Sequence, residues 1–151
     1  MILIFIFSAL GLTAGLLLLG RVPLCPRSRG STDAKVSIVI PARNEEDNLP
    51  RLLSSLRQSS QPAHEVIVVD DASHDGTAAA AAAGGARVLT AAPLPAGWTG
   101  KTWACFQGAE IAAGDLFIFL DADTWFEPDG LTRLVSTYAA LSSDKIGRAH
   151  V

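Results

Sequence analysis

Apolar and polar positions divide the chain into two parts with different periods. Met1–Gly20 is an apolar stretch with no charged side chain, whereas from Lys35 onward short β-branched runs alternate with segments of helical spacing. The run Lys35–Ile40, ended by Pro41, predicts a buried strand. Asn44–Ser59 follows with Leu49, Leu52, Leu53 and Leu56 on one helical face, and Pro50 fits only in its first turn. Glu65–Val69 predicts a second strand, ending in Asp70 and Asp71. Ser73–Thr77 then caps the alanine run Ala78–Ala83, a strong helix former stopped by Gly84 and Gly85. Arg87–Thr90 is a short third strand, residues 91–100 form a Pro- and Gly-rich loop, and Thr102–Ala113 predicts a helix. Asp115–Leu120 is a fourth strand followed by Asp121 and Asp123, and Pro128 and Asp129 open a helix with Leu131, Leu134, Val135 and Tyr138 on one face. Ile146–Val151 has no periodicity of its own and reads as a non-native tail, the translation of a sequencing adapter, with native sequence ending near Lys145.

Strand–helix alternation with continuous apolar strands predicts an α/β fold whose mainly parallel sheet is covered on both faces. Ligands of such sheets bind beyond the carboxyl ends of the strands. Pro41-Ala42-Arg43, Asp70-Asp71 and Asp121-Ala122-Asp123 all fall at that edge.

The first twenty residues are long enough to cross a bilayer as a helix. Arg21, Arg27 and Arg29 follow the apolar run rather than precede it, which argues for an anchor over a secretory signal peptide. By the positive-inside rule everything after Arg21 lies in the cytosol, as expected for a bacterial-type inner membrane protein with one N-terminal anchor. Residues 21–34 are then a basic juxtamembrane linker, 35–145 the globular domain and 146–151 the tail. Cys25 in the linker reads as an idle thiol or a palmitoylation site.

Composition narrows the function classes. The 151 residues hold 15 acidic and 12 basic side chains, for a net charge of −3, and lack the basic field of a nucleic-acid binder. Two cysteines 80 positions apart exclude a disulfide scaffold, and no His/Cys cluster has zinc spacing.

Asp121 and Asp123 are two carboxylates at positions i and i+2 of a strand end, a spacing that faces both to one side. They repel each other unless a cation intervenes, and hard ions such as Mg²⁺ or Mn²⁺ suit that setting and keep phosphate ligands. The pair reads either as a metal clamp on a diphosphate or as a turn with Asp123 as a local cap. Asp70-Asp71 reads equally as a ligand pair or as an Asx turn onto Ser73. Lys101 falls short of a P-loop lysine, because Pro95 stands where the first glycine is required; it is a mobile charge for a phosphate or an ordinary surface lysine. Trp98 and Trp125 flank the candidate site as covers for a sugar or base, or as packing. Trp103 and Cys105 read as core, and His74 as a solvated loop residue.

Taken in order, Val36–Glu46 (VSIVIPARNEE), Val66–Thr77 (VIVVDDASHDGT) and Phe119–Asp123 (FLDAD) resemble the motifs of family 2 glycosyltransferases with the GT-A fold. The resemblance spans about residues 35–141. Gly97–Cys105 (GWTGKTWAC) further resembles a membrane-anchored branch associated with hopanoids and carotenoids. The resemblance implies a nucleotide-sugar donor, usually UDP-linked, a Mn²⁺ or Mg²⁺ ion and inversion at the anomeric carbon. By position, Pro41, Ala42, Arg43 and Glu45 line the nucleoside pocket and Asp71, next to Asp70, binds the uracil edge. Lys101 meets the diphosphate, Asp121 lies near the ribose and metal, and Asp123 is the direct metal ligand. A lipid acceptor is expected from the membrane tether.

The family's catalytic base lies in a second half after the D-x-D strand. Only 28 residues follow Asp123 and none reads as that base, so the chain is expected to be an incomplete, donor-binding part without turnover of its own. The competing readings are a haloacid-dehalogenase-type phosphohydrolase using Leu120–Thr124 (LDADT), a receiver-like domain with Mg²⁺ at Asp70-Asp71, and a nucleotide-binding fragment that catalyses nothing.

Overall fold

The structure is a computed structural model that describes residues 33–148, with side chains described to residue 141. The apolar stretch 1–20, most of the linker and the last three residues lie outside the described part. Among the described residues no helix is long and apolar enough to cross a membrane.

Among the described residues four strands and four helices alternate: β1 (Val36–Ala42), α1 (Leu49–Arg57), β2 (Glu65–Asp70), α2 (Thr77–Ala83), β3 (Arg87–Thr90), α3 (Gly100–Ile111), β4 (Leu116–Phe119) and α4 (Gly130–Arg148). All pairings are parallel, in the order β3-β2-β1-β4. The order therefore reverses at β1, and the crevice between the carboxyl ends of β1 and β4 is a topological switch point.

Two apolar layers hold the sheet. On one face Ile38, Ile40 and Val68 pack with Leu49, Leu52, Leu53 and Leu56 of α1, Ala81 of α2, and Leu131 and Val135 of α4. On the other, Val39, Ile67 and Val69 meet Ala104 of α3. Alternate residues of β1 and β2 thus bury on opposite faces, which explains their unbroken apolar runs.

Several elements depart from the sequence expectations. β1 does not stop before Pro41 but runs through it to Ala42, with Pro41 paired to Val69. The β4 ladder ends at Val39↔Phe119, and Leu120 N donates to Val39 O. The donor that proline lacks therefore faces the side where β4 has already left, the tolerated place for proline in a sheet. α1 begins at Leu49, because the turn 46–48 precedes it, and Pro50 occupies its first turn. α3 starts two residues earlier than its apolar spacing predicts: Thr99 caps it, accepting from Thr102 N in a reciprocal capping box.

β4 is not buried on both faces. Phe117 is 41% and Phe119 50% exposed, because α3 packs over β1 and β2 and, among the described residues, nothing covers that face of this strand. On α4, Leu131 and Val135 are buried while Leu134 and Tyr138 are exposed, so the buried stripe is narrower than its sequence pattern implies. The helix continues past Lys145 to Arg148.

At the amino ends of the strands, opposite the crevice, Glu65 is a structural pin. Its Oε1 accepts from Ser37 Oγ at 2.7 Å and from Ala113 N at 2.6 Å, and Gly114 N donates to Ser37 Oγ. The Ala113 amide and the Ser37 hydroxyl hold the Glu65 carboxyl below the usual carboxylate range. A carboxyl with a lowered folded pKa stabilises fully above its unfolded value of about 4.3, and that contribution is lost as pH falls through the folded pKa. Acid unfolding of the wild type is therefore expected to steepen below about pH 4.3. Glu65→Gln should be less stable than wild type at neutral pH, with the difference shrinking as the medium is acidified. Denaturant titrations from pH 7 to pH 3 check this, and a pH-independent difference between the two proteins contradicts it.

Candidate functional site

The turns after β1 and β2 are tied together by reciprocal hydrogen bonds. Asn44 N donates to Ser73 Oγ, Glu45 N to Thr77 Oγ1 and Glu46 N to Asp75 Oδ2. In return His74 N donates to Asn44 Oδ1 and Gly76 N to Glu46 Oε2. Asp75 also accepts from the Thr77 amide and hydroxyl, and the hydroxyl bond lowers its pKa. Asn44 and Ala72 both have positive φ, at 55° and 54°. The left-handed conformation is costly for alanine, and it is held here because the surrounding bonds over-determine it. Each of these residues directly follows a residue of the crevice, Arg43 and Asp71.

The crevice is a cavity of about 460 Å³. The end of β1 and its turn contribute Pro41, Ala42, Arg43 and Glu45; the turn after β2 contributes Asp71; the first turn of α3 contributes Gly100 and Lys101; and the turn after β4 contributes Asp121, Ala122 and Asp123. Three strand ends that are distant in sequence thus meet one helix start.

Asp121 and Asp123 reach the cavity by a different local geometry from the one their spacing suggests. β4 has ended, and Thr124 N and Oγ1 both bond Asp121 O, so a turn presents the two acids. Lys101 Nζ lies 2.6 Å from Asp121 Oδ1, and this hydrogen-bonded pair raises the lysine pKa. The lysine sits in the first turn of a helix, with its stem free to turn. Arg43 Nη1 is 4.0 Å from Asp71 Oδ2, a long pair exposed on its arginine side and of little energetic weight. Glu45 Oε2 accepts from Asn48 Nδ2.

Gly100 is a site residue that pattern reading missed. A Cβ there meets Asp71 Oδ2 at 2.5 Å, so glycine lets the start of α3 come up against that carboxylate. A glycine immediately before the lysine was the available signal. Ala122 carried none.

Other expected residues lie elsewhere. Asp70 is not in the cavity lining; its Oδ1 accepts from Ser73 N, closing an Asx-type turn that supports Asp71. Trp98 covers no part of the cavity. It packs at 5.2 Å from both Trp103 and Phe106, and Trp103 Nε1 donates to Ala92 O. Trp125 is capped by Arg51, whose guanidinium lies 3.3 Å from the ring centre. Cys105 is half-buried, and burial pushes its thiol up, which disfavours the thiolate.

The donor set suits an ion that arrives with phosphate. Mg²⁺ and Mn²⁺ sites of that kind take one or two carboxylates and complete their shell with phosphate oxygens and water. Asp121 and Asp123 supply two carboxylates on an open crevice. No group of three or more His, Cys, Asp or Glu side chains forms a closed metal cage among the described residues.

The sequence model of "Glycosyl transferase family 2" matches residues 37–144, a segment that contains all three motifs. Among curated relatives, a 4,4'-diaponeurosporenoate glycosyltransferase of Staphylococcus haemolyticus is 38% identical over 138 residues, covering 87% of this chain and 36% of the relative. Its namesake in Staphylococcus aureus is 34% identical over 136 residues, covering 88% and 36%. The chain therefore spans about a third of the length of the curated relatives it matches. Among solved structures, mannosyl-3-phosphoglycerate synthase from Rubrobacter xylanophilus superposes with a TM-score of 0.60 and 30% identity, covering 70% of this chain and 36% of that one. Glucosyl-3-phosphoglycerate synthase from Mycobacterium tuberculosis, in complex with Mn²⁺ and UDP-glucose, gives 0.54 and 28%, covering 66% and 40%.

Proposed function

Because the chain belongs to glycosyl transferase family 2, we propose that residues 35–141 bind the donor of an inverting sugar transfer: a UDP-sugar together with Mn²⁺ or Mg²⁺. The observation that carries this reading is the convergence of Arg43, Asp71, Lys101, Asp121 and Asp123 on one cavity at the switch point of a parallel sheet. The Mn²⁺ and UDP-glucose in the M. tuberculosis neighbour support the choice of ligand.

Pro41, Ala42, Arg43 and Glu45 form the wall against the nucleoside, and Asp71 accepts hydrogen bonds from the uracil edge. Asp70 acts through the turn that presents Asp71. Lys101 would set a positive charge against the diphosphate, Asp121 would lie near the ribose and metal, and Asp123 would be the direct metal ligand. A bound divalent ion supplies Lewis-acid stabilisation of the charge that grows on the departing nucleoside diphosphate. A lipid-like acceptor fits the 4,4'-diaponeurosporenoate in the relatives' name. The apolar stretch 1–20 is the proposed membrane anchor, with the domain on the cytoplasmic side. A phosphohydrolase built on Asp121 leaves the β1 and β2 residues of the same cavity without a role.

Calorimetric titration of the full chain with UDP tests the reading. Binding is expected with Mn²⁺ present and is expected to weaken roughly ten- to hundredfold in Asp71→Ala, the loss of a hydrogen bond to a charged group (about 1.5–3 kcal/mol). A folded chain that binds UDP with neither Mn²⁺ nor Mg²⁺ overturns it.

A further inference from the structure

Lys101 occupies an unusual place for a cation. It sits in the first turn of α3, where the helix dipole disfavours positive charge, and its ammonium is held 2.6 Å from Asp121 Oδ1. We infer that Lys101 is a built-in counter-ion that couples metal binding to nucleotide binding: it holds Asp121 while the donor is absent and passes to the diphosphate when the donor arrives. The inference rests on the reading of this cavity as a metal–nucleotide site.

The charge count supports coupling. The cavity is lined by two cations, Arg43 and Lys101, and four anions, Glu45, Asp71, Asp121 and Asp123, a formal net of −2. A diphosphate approaching alone meets that excess negative charge. A divalent ion approaching alone meets the Lys101 ammonium already seated on one of its two carboxylates, and two like charges cannot share that oxygen closely. A divalent ion and the diphosphate of a sugar nucleotide enter together as a nearly neutral pair. The phosphates then offer Lys101 a new partner and free Asp121 for the metal. The switch needs only rotation of the lysine stem, which is exposed and carries rotatable donors.

The test measures Mn²⁺ binding to the full chain by the loss of the free-ion electron paramagnetic resonance signal, with and without UDP. For the wild type, weak Mn²⁺ binding alone and a gain of roughly tenfold or more with UDP are expected, within the usual range of coupling between sites. Lys101→Met keeps the stem and removes the charge. It is expected to bind Mn²⁺ alone about tenfold more tightly, to bind UDP less tightly and to show a smaller gain on combining the two. Lys101→Arg keeps the charge and should retain weak binding of Mn²⁺ alone. Circular dichroism checks that each variant is folded. If the wild type binds UDP with Mn²⁺ while Lys101→Met has unchanged affinity for Mn²⁺ alone, the counter-ion role is wrong and the donor site stands. If the wild type binds UDP with neither metal, the donor-site reading fails and the coupling falls with it.

Discussion

Asp123→Ala is expected to abolish Mn²⁺-dependent UDP binding while leaving the fold intact. Asp123 lines the cavity and takes part in none of the described hydrogen bonds or ion pairs, whereas Asp121 already carries Lys101. Its carboxylate is therefore held in place by no internal partner whose loss would unravel the turn; Thr124 fastens that turn through Asp121 O. Removing Asp123 leaves a divalent ion one carboxylate, and that one is contested by an ammonium. Loss of a group that merely orients a metal ligand costs about 10–100-fold in affinity, so loss of the ligand itself should reach about 100-fold or more. The decisive comparison is the Mn²⁺ dependence of UDP binding in wild type and variant, alongside their unfolding curves. An Asp123→Ala protein that keeps wild-type affinity for UDP in Mn²⁺ removes Asp123 from the metal site. Asp123→Asn, which keeps an oxygen but loses the charge, should fall between the two.

The second large effect lies in the packing that places Lys101. Gly108 faces the sheet one turn after buried Ala104, and a Cβ at this position comes within 2.4 Å of Val39 Cγ1 and 3.0 Å of Val69 Cγ2. Both valines are fully buried β-branched side chains on adjacent central strands, with no room to turn aside. Alanine at 108 gains about 1 kcal/mol of helix propensity against a packing cost of about 1–3 kcal/mol, and so ends near neutral or mildly destabilised. Valine keeps little of that gain and doubles the intrusion. Gly108→Val is expected to lose about 3 kcal/mol, a large part of the roughly 5–15 kcal/mol that holds a domain together. The same displacement lifts the start of α3 from Asp71 and Asp121, so UDP affinity should fall along with stability. Urea unfolding followed by UDP titration at low denaturant checks both. Stability within about 0.5 kcal/mol of wild type, the range of a neutral surface change, contradicts the tight packing of α3.

Much of the fold was legible because its signals are local. β-branched runs, leucines at helical spacing, an alanine tract stopped by two glycines, and acids placed at the ends of strands each act within a few residues, and all eight elements appear where such signals stand. The strand ends also identified most of the cavity, since a parallel sheet brings the carboxyl ends of its strands to one edge. The errors share a different cause. The end of β1, the exposure of Phe117 and Phe119, and the narrow stripe on α4 all depend on which neighbour covers a given face. Of the two roles open to Trp98 and Trp125, covering a ligand or packing, only a partner in a neighbouring or distant segment decided for packing.

The amino-acid sequence by itself determined the alternation of elements, the parallel sheet, the edge where chemistry gathers and the family, because period, capping and motif order are written in short stretches of chain. Only the tertiary structure decided that β1 is the switch point, that α3 presses its glycine face onto Val39 and Val69, and that Lys101 closes on Asp121 twenty residues away. Those are choices among many sterically allowed partners. They are settled by strand register and by the close packing of two layers onto one sheet, which no local pattern encodes.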